Sequence, residues 1–365
     1  MSGDFSDLLI EVRRIVHETA KGIFEELRRE AHNTHPELED IPVIASDFTL
    51  RGGKRLRAFL VLVGYWSREW GKSIDEVKYL MTGIEFLQSY LLVHDDIMDR
   101  DEVRRGGPTV HVWFTSRCRE KSLLGDCSHY GISQAIVVGD YLESMAVSTF
   151  SKLELPANAM TKLIQSYTRG LRIVSYGQYM DLMLSMKPLR EVDEADVLLV
   201  HKLKTASYTV ELPLHLGAIA SCKYSDNLLH ELTSYAIPAG IAFQLRDDLL
   251  GLFGDPSITG KPVGSDVREK KKTLLVIKAY KEAPPPYKEF LEEVYDHKEP
   301  SEISDRDIAE VQHIVRDYGG YSYVVKLMKK YAEEAEKALR EATMINDDAK
   351  KALKWLLRLF IYRKK

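Results

Sequence analysis

Leu8, Leu9, Val12, Ile15, Val16, Ile23, Phe24 and Leu27 recur at steps of three and four residues, so one apolar stripe runs down a long first helix. Leu56–Trp66 and Ile74–Met98 keep that period but carry more apolar residues, as helices at the middle of a bundle do. Ser133–Phe150, Ala157–Leu184, Val192–Ser221 and Leu228–Phe253 follow, each long enough for several turns. No period-two run bounded by a hairpin turn stands out, so strands are not expected. Gly52-Gly53, Arg105-Gly106-Gly107-Pro108 and Gly254-Asp255-Pro256 punctuate the pattern, and Pro284-Pro285-Pro286 reads as a rigid linker. The polar stretch 116–131, which bears Cys118 and Cys127, reads as an inserted loop. The pattern predicts one large all-α domain over residues 1–365, with a smaller helical part after about residue 286.

Composition narrows the function. The chain has 365 residues with 51 Lys and Arg against 55 Asp and Glu, a net charge of −4, which argues against a nucleic-acid binder working by bulk charge. No run approaches the roughly 18 uninterrupted apolar residues of a membrane span. The first residues lack the apolar core of a secretion signal, so a cytoplasmic protein is expected. Cys118, Cys127 and Cys222 cannot build a disulfide framework and have no zinc spacing; Cys118 and Cys127 are expected to remain thiols, with a local disulfide between them as the alternative.

Two acidic patches carry the chemistry. In His94-Asp95-Asp96-Ile97-Met98-Asp99, at about 100° per residue, Asp95 and Asp99 share a helix face while Asp96 lies to one side. Like charges at that spacing, at the negative end of a helix, are unfavourable without a cation. The second patch, Gln244-Leu245-Arg246-Asp247-Asp248-Leu249-Leu250-Gly251, again sets adjacent aspartates near the end of an apolar helix. Hard divalent ions take such oxygen ligands. Basic residues stand near both. Gly52-Gly53-Lys54-Arg55-Leu56-Arg57 is a glycine turn running into a helix, whose N–H groups and dipole favour an anion, with Lys54 and Arg57 on one side. Arg104 and Arg105 follow the first patch; Lys261, Lys270, Lys271 and Lys272 follow the second; Lys204-Thr205 lies inside the Val192 helix. Diphosphate bridged by Mg²⁺ uses all of these parts.

The ordered set GGKRLR, DDIMD with RRGGPT, GDYL, GQYMDL, KT, FQLRDD and GKPVGSD with KKT, from Arg51 to Lys272, resembles the trans-type polyprenyl diphosphate synthases, the farnesyl and geranylgeranyl diphosphate synthases, in their archaeal form. The resemblance implies a large all-α bundle around a deep central cavity, usually a homodimer. It also implies a prenyltransferase that condenses isopentenyl diphosphate with an allylic diphosphate. By the same resemblance Asp95 and Asp99 would hold two Mg²⁺ and Asp247 a third, with Asp96 and Asp248 beside them. Arg104, Lys204, Lys261 and Lys271 would grip the allylic diphosphate. Gly53, Lys54, Arg57, Gln88 and Arg105 match the isopentenyl diphosphate pocket, and Thr205 and Gln244 match positions facing the developing carbocation. No side-chain nucleophile is needed, and no nucleic acid is involved.

Departures and product length remain. Gly251 stands where many members carry a third aspartate, so the second metal site would rest on Asp247. Ala58 replaces a common proline. Tyr90, five residues before Asp95, matches the aromatic that limits elongation, and Leu91 stands where many farnesyl-specific members have a second aromatic. Geranylgeranyl diphosphate is the expected product and farnesyl diphosphate the alternative. A class I terpene cyclase fits poorly because it has little use for the GGKRLR pocket. A non-catalytic subunit fits poorly because both aspartate pairs stand. The basic tail Arg363-Lys364-Lys365 is expected to be solvated.

Overall fold

The computed structural model describes residues 4–254 and 264–362. Its helices are, in chain order, α1 (Ser6–Thr34), α2 (Asp40–Leu50), α3 (Leu56–Tyr65), α4 (Lys78–Met98), α5 (Val110–Glu120), α6 (Cys127–Phe150), α7 (Ala157–Met186), α8 (Glu194–Val200), α9 (Leu212–Ala220) and α10 (Asp226–Phe253). After the second acidic patch come α11 (Ser265–Arg268), α12 (Leu274–Glu282), α13 (Pro285–Glu292), α14 (Asp305–Asp317), α15 (Gly320–Glu341) and α16 (Asp347–Ile361). Between α8 and α9 the helix does not stop but widens into a π segment, His201–Glu211.

The apolar stripe of α1 buries Leu9, Val12, Val16, Ala20 and Phe24 against the bundle. At the centre, α3 buries all but one of its residues, and α4 is buried from Leu80 through Ser89. Helix ends follow their side-chain chemistry. Asp126 caps α6 by accepting from Ser128 N–H at 2.8 Å, and Ser225 caps α10 by accepting from Leu228 N–H at 3.2 Å. Glycines let backbones touch. A Cβ at Gly217 on α9 would fall 2.0 Å from the Val61 carbonyl oxygen on α3, and one at Gly64 2.3 Å from that of Leu214.

Four expectations need correction. The stretch 116–131 is not an inserted loop, because α5 runs to Glu120 and α6 starts at Cys127, leaving a short turn. Cys118 and Cys127 are not thiols but are joined in a disulfide across that turn, since antiparallel packing brings their Cα atoms to 5.5 Å. The triple proline is not a linker. Pro284 is the N-cap of α13 and Pro285 and Pro286 occupy its first turn, where a missing N–H costs nothing. Strands are not wholly absent: β1 (Val103–Arg104) pairs antiparallel with β2 (Gly107–Pro108). The turn residues Arg105 and Gly106 have φ +52° and +75°, the left-handed pair that a tight hairpin requires.

The helices after Pro286 pack back onto the bundle. Tyr235 of α10 donates to the Leu353 carbonyl of α16 at 2.8 Å, and Asn346 N–H donates to the Ser67 carbonyl at 2.9 Å.

Candidate active site

The C-terminal ends of α4 and α10 meet the π segment, and the two acidic patches converge there. Lys204 Nζ donates to Asp95 Oδ1 at 3.3 Å and to Asp181 Oδ2 of α7 at 2.7 Å. The next residue, Thr205, donates through Oγ1 to Gln244 Oε1 at 2.7 Å, and Gln244 Nε2 donates to Asp248 Oδ1 at 2.8 Å. Lys271, downstream of the second patch, reaches Asp99 Oδ2 at 3.4 Å. One lysine therefore touches the first motif from the π segment, and another touches it from the chain that follows the second.

A π segment has the geometry for this task because it splays consecutive residues around a wider turn. Its neighbours make room for it. A Cβ on Gly177 of α7 would fall 2.4 Å from the Lys204 backbone nitrogen, and one on Gly240 of α10 would fall 2.4 Å from the Ala206 Cα. Glycine on both flanks thus lets two helices clamp the segment that presents Lys204 and Thr205.

The electrostatics are those of balanced opposites held out of water. Burial raises the Asp95 carboxyl, but Lys204, Lys271 and Arg104 outweigh it and hold the group below the ordinary carboxylate range. Burial keeps Asp99 above that range despite Lys271. Lys204 and Lys271 both remain charged: burial lowers each, and the acids facing them more than compensate. Asp96 points the other way, as its helix angle requires. It is fully buried, pairs through Oδ1 with Arg104, and is pushed up to about 7 by burial. Its Oδ2 has no hydrogen-bond partner. Asp248 is also buried, 3.2 Å from His201 Nε2, whereas Asp247 is only half-buried.

The cationic side is assembled from two loops. Gly52, Gly53 and Arg55 have φ of +56°, +99° and +51°, so the chain stays non-helical through Lys54 and α3 begins at Leu56. Helical spacing between Lys54 and Arg57, expected from the sequence, does not apply. The N-terminus of α3 is not an open anion site either. Ala58 N–H donates to Glu85 Oε1 at 3.2 Å, and Glu85 pairs with the buried Arg55 at 3.0 Å. The β1–β2 hairpin straps onto this loop. Arg51 donates to the carbonyls of Arg104 at 3.1 Å and Pro108 at 2.9 Å, and Arg105 Nη1 donates to the Arg51 carbonyl at 3.2 Å. Arg105 lies over Gly53, where a Cβ would sit 3.3 Å from its guanidinium. Burial, with Arg55 close by, pushes Arg105 down to about 10, so the pocket favours an anion.

Arg57 donates to Thr209 Oγ1 at 2.7 Å and stacks 4.4 Å from the Tyr208 ring, while its Nε is buried without a partner. Tyr208 donates to Gln88 Oε1, which ties α4 to the π segment. Tyr90 is half-buried, its ring 4.9 Å from His94, with Leu91 packed beside it against the core. Lys261 lies outside the described residues, as does the basic tail beyond Tyr362. Lys272 is taken up structurally: it donates to the Ser185 carbonyl at 2.9 Å and to that of Lys187, at the end of α7.

Sequence reading missed several neighbours. Gln178 Nε2 reaches Asp95 Oδ1 at 3.3 Å, and Gln178 and Asp181 were legible as an i, i+3 pair within GQYMDL. Tyr208 and His201 carried no such signal, because their positions depend on the π turn.

The donor set suits Mg²⁺. Asp95, Asp99 and Asp247 offer hard oxygens, and Asp96 beside them keeps one buried oxygen without a hydrogen-bond partner. Among the described residues no three acidic, histidine or cysteine side chains form a ready-made cage.

Comparison with known proteins agrees with this geometry. The polyprenyl synthetase family profile matches residues 41–315. The geranylgeranyl diphosphate synthase of Saccharolobus solfataricus is 36% identical over 316 residues, spanning 86% of this chain and 87% of that protein. The geranylfarnesyl diphosphate synthase of Aeropyrum pernix is 33% identical over 86% of this chain and 91% of its own. A crystal structure of geranylgeranyl pyrophosphate synthase from Corynebacterium glutamicum, complexed with isoprenyl diphosphate and magnesium, superposes with a TM-score of 0.89 at 30% identity, covering 97% of this chain and 99% of that one. With its helical fold, two converging aspartate motifs and matched length, the chain belongs to the polyprenyl synthetase family and is a trans-prenyltransferase.

Proposed function

We propose that the enzyme condenses isopentenyl diphosphate with an allylic diphosphate and makes mainly geranylgeranyl diphosphate, with farnesyl diphosphate as the shorter alternative. The observation that carries this reading is the junction at Lys204 and Thr205, which links Asp95 to Gln244 and so joins the two acidic motifs at one point. A second diphosphate is assigned to Arg57, Arg105 and Gln88: Arg57 stacks on Tyr208, which donates to Gln88, and Arg105 lies close enough to feel the Arg57 charge.

In this reading Asp95, Asp99 and Asp247 hold Mg²⁺, three ions per site, with Asp96 and Asp248 as supports. Bound Mg²⁺ supplies charge neutralisation for the departing diphosphate. Arg104, Lys204, Lys261 and Lys271 share that charge from the protein side, so the allylic carbon–oxygen bond can ionise. Gly53, Lys54, Arg57, Gln88 and Arg105 fix the isopentenyl diphosphate so that its alkene attacks the cation. A proton then leaves to the released diphosphate. Thr205 and Gln244 turn oxygen dipoles toward the developing positive charge. Tyr90 limits elongation, and the names of the relatives, which run from farnesyl to geranylfarnesyl, bracket the proposed length.

The same reading takes the chain as one functional unit that works in the cytoplasm as a homodimer. The described residues hold no helix long and apolar enough to cross a membrane. Ile132, Ile136, Val137 and Val147 leave an exposed apolar face on α6, which a second copy would cover.

The test is turnover by the purified chain with Mg²⁺. Asp95→Ala and Asp247→Ala are each expected to lower it by about a hundredfold or more while Tm holds, because they remove charge stabilisation and not core packing. Near-normal activity in either variant would remove that residue from the metal set.

A further inference from the structure

Two pairs of side chains, each four residues apart, face each other where the π segment lies along α10. His201 and Thr205 belong to the π segment, Gln244 and Asp248 to α10, and the two elements run in opposite directions, so that His201 meets Asp248 and Thr205 meets Gln244. His201 Nε2 faces Asp248 Oδ2 at 3.2 Å, and Thr205 Oγ1 donates to Gln244 Oε1 at 2.7 Å. Along α10 the pairs are joined, since Gln244 Nε2 donates to Asp248 Oδ1 at 2.8 Å, an i, i+4 pairing that helices favour. Gly240, one turn before Gln244, sets the separation, because a Cβ there would fall 2.4 Å from the Ala206 Cα.

The four groups form a chain with a direction. A carboxylate oxygen accepts, so the end of the Gln244 amide turned to Asp248 is its NH2. The amide carbonyl is thereby turned to Thr205 and takes the hydroxyl hydrogen, which leaves the Thr205 oxygen with free lone pairs. Burial follows the same direction: His201 and Asp248 are buried, Gln244 and Thr205 only half-buried. At the buried end, His201 Nδ1 and Asp248 Oδ2 have no hydrogen-bond partner among the described residues. Two under-bonded polar groups out of water depend on their mutual contact, because displacing either leaves the other barer still.

We propose that His201 is a positioning residue for the chemical step: by holding Asp248 it fixes which way Gln244 and Thr205 point, so that the Thr205 oxygen presents its lone pairs to the developing cation. The proposal rests on the assignment of Thr205 and Gln244 in the preceding section, so its test includes Thr205→Val as the control for that assignment.

The experiment is steady-state kinetics of the purified full chain with Mg²⁺, isopentenyl diphosphate and an allylic diphosphate, beside calorimetric titration of Mg²⁺ with inorganic pyrophosphate. His201→Leu is expected to lower kcat about tenfold or more, the scale on which misplaced groups act, with both KM values and pyrophosphate binding within about threefold of wild type. His201→Gln, whose amide nitrogen replaces Nε2, is expected to keep most of kcat; His201→Asn, whose shorter amide replaces only Nδ1, is expected to lose it. Thr205→Val is expected to lower kcat by itself, and adding His201→Leu to it is expected to lower kcat no further, the non-additivity of residues in one network. Unchanged kcat in His201→Leu, with Thr205→Val impaired, overturns the proposal alone. Losses that multiply in the double variant, or weakened pyrophosphate binding in His201→Leu, also overturn it, since His201 then acts elsewhere. Where His201→Leu fails to fold, the two amide variants decide, and equal kcat in them overturns the proposal. Normal kcat in Thr205→Val overturns the assignment of Thr205 and the proposal with it.

Discussion

Glu85 and Arg55 form a buried ion pair, 3.0 Å apart, under the loop proposed to bind isopentenyl diphosphate. Removing one partner of such a pair leaves the other charge uncompensated, at about 3–5 kcal/mol. Glu85→Gln is therefore expected to lower Tm and to raise KM for isopentenyl diphosphate more than for the allylic substrate, because the loop it anchors carries Gly53 and Lys54. Equal changes in both KM values, from steady-state kinetics, would mean that the pair serves only the fold. Tyr90→Ala is expected to lengthen the product, read by chromatography of the dephosphorylated alcohols; an unchanged profile would take Tyr90 out of length control. Asp95 and Asp99 were legible at this scale because a helix period fixes which side chains share a face. Arg55 and Glu85 were not, because a left-handed residue at 55 breaks the period and a contact across 30 positions leaves no local trace.

Among the elements, α1, α3, α4, α6, α7 and α10 followed their apolar stripes to within a few residues at most boundaries, since burial of one face drives both pattern and structure, whereas α2 and α5 were not anticipated. The π widening at His201–Glu211 escaped, because nothing in the segment itself distinguishes it from an α-helix; Gly177 and Gly240 on its neighbours let two helices pack against it. Gly177→Ala, whose Cβ would strike the Lys204 backbone, is expected to reduce turnover through displacement of Lys204. A variant with normal kcat and KM would show that the segment tolerates the shift. The α5–α6 turn was misread because polarity and cysteines resemble a loop, while helix packing placed the two sulfurs together. The bridge Cys118–Cys127 closes a short loop, for which chain entropy gives about 2–3 kcal/mol. Reduction is expected to lower Tm by a few degrees with little effect on turnover at moderate temperature; scanning calorimetry with and without reductant checks this.

For the whole molecule, the apolar face of α6 matters most. On the proposed homodimer, Val147→Glu, placed on that face, is expected to shift the mass from dimer to monomer in light scattering; an unmoved dimer mass would put the interface elsewhere, and a monomer mass for the wild type would remove the dimer from the proposal. The organisation around one site was legible because seven motifs stand in order along the chain. That the ends of α4 and α10 meet was expected from the paired motifs; the lysines that join them were not, since the Lys204 and Lys271 contacts join positions more than 100 residues apart. The most direct measurement incubates the purified full chain with Mg²⁺, labelled isopentenyl diphosphate and an allylic starter, then sizes the alcohols after dephosphorylation. Expected is Mg²⁺-dependent formation of the twenty-carbon alcohol from an allylic starter shorter than twenty carbons; no condensation product from any such starter, or the same yield after chelation of Mg²⁺, would contradict a magnesium-assisted prenyl transfer at these helix ends.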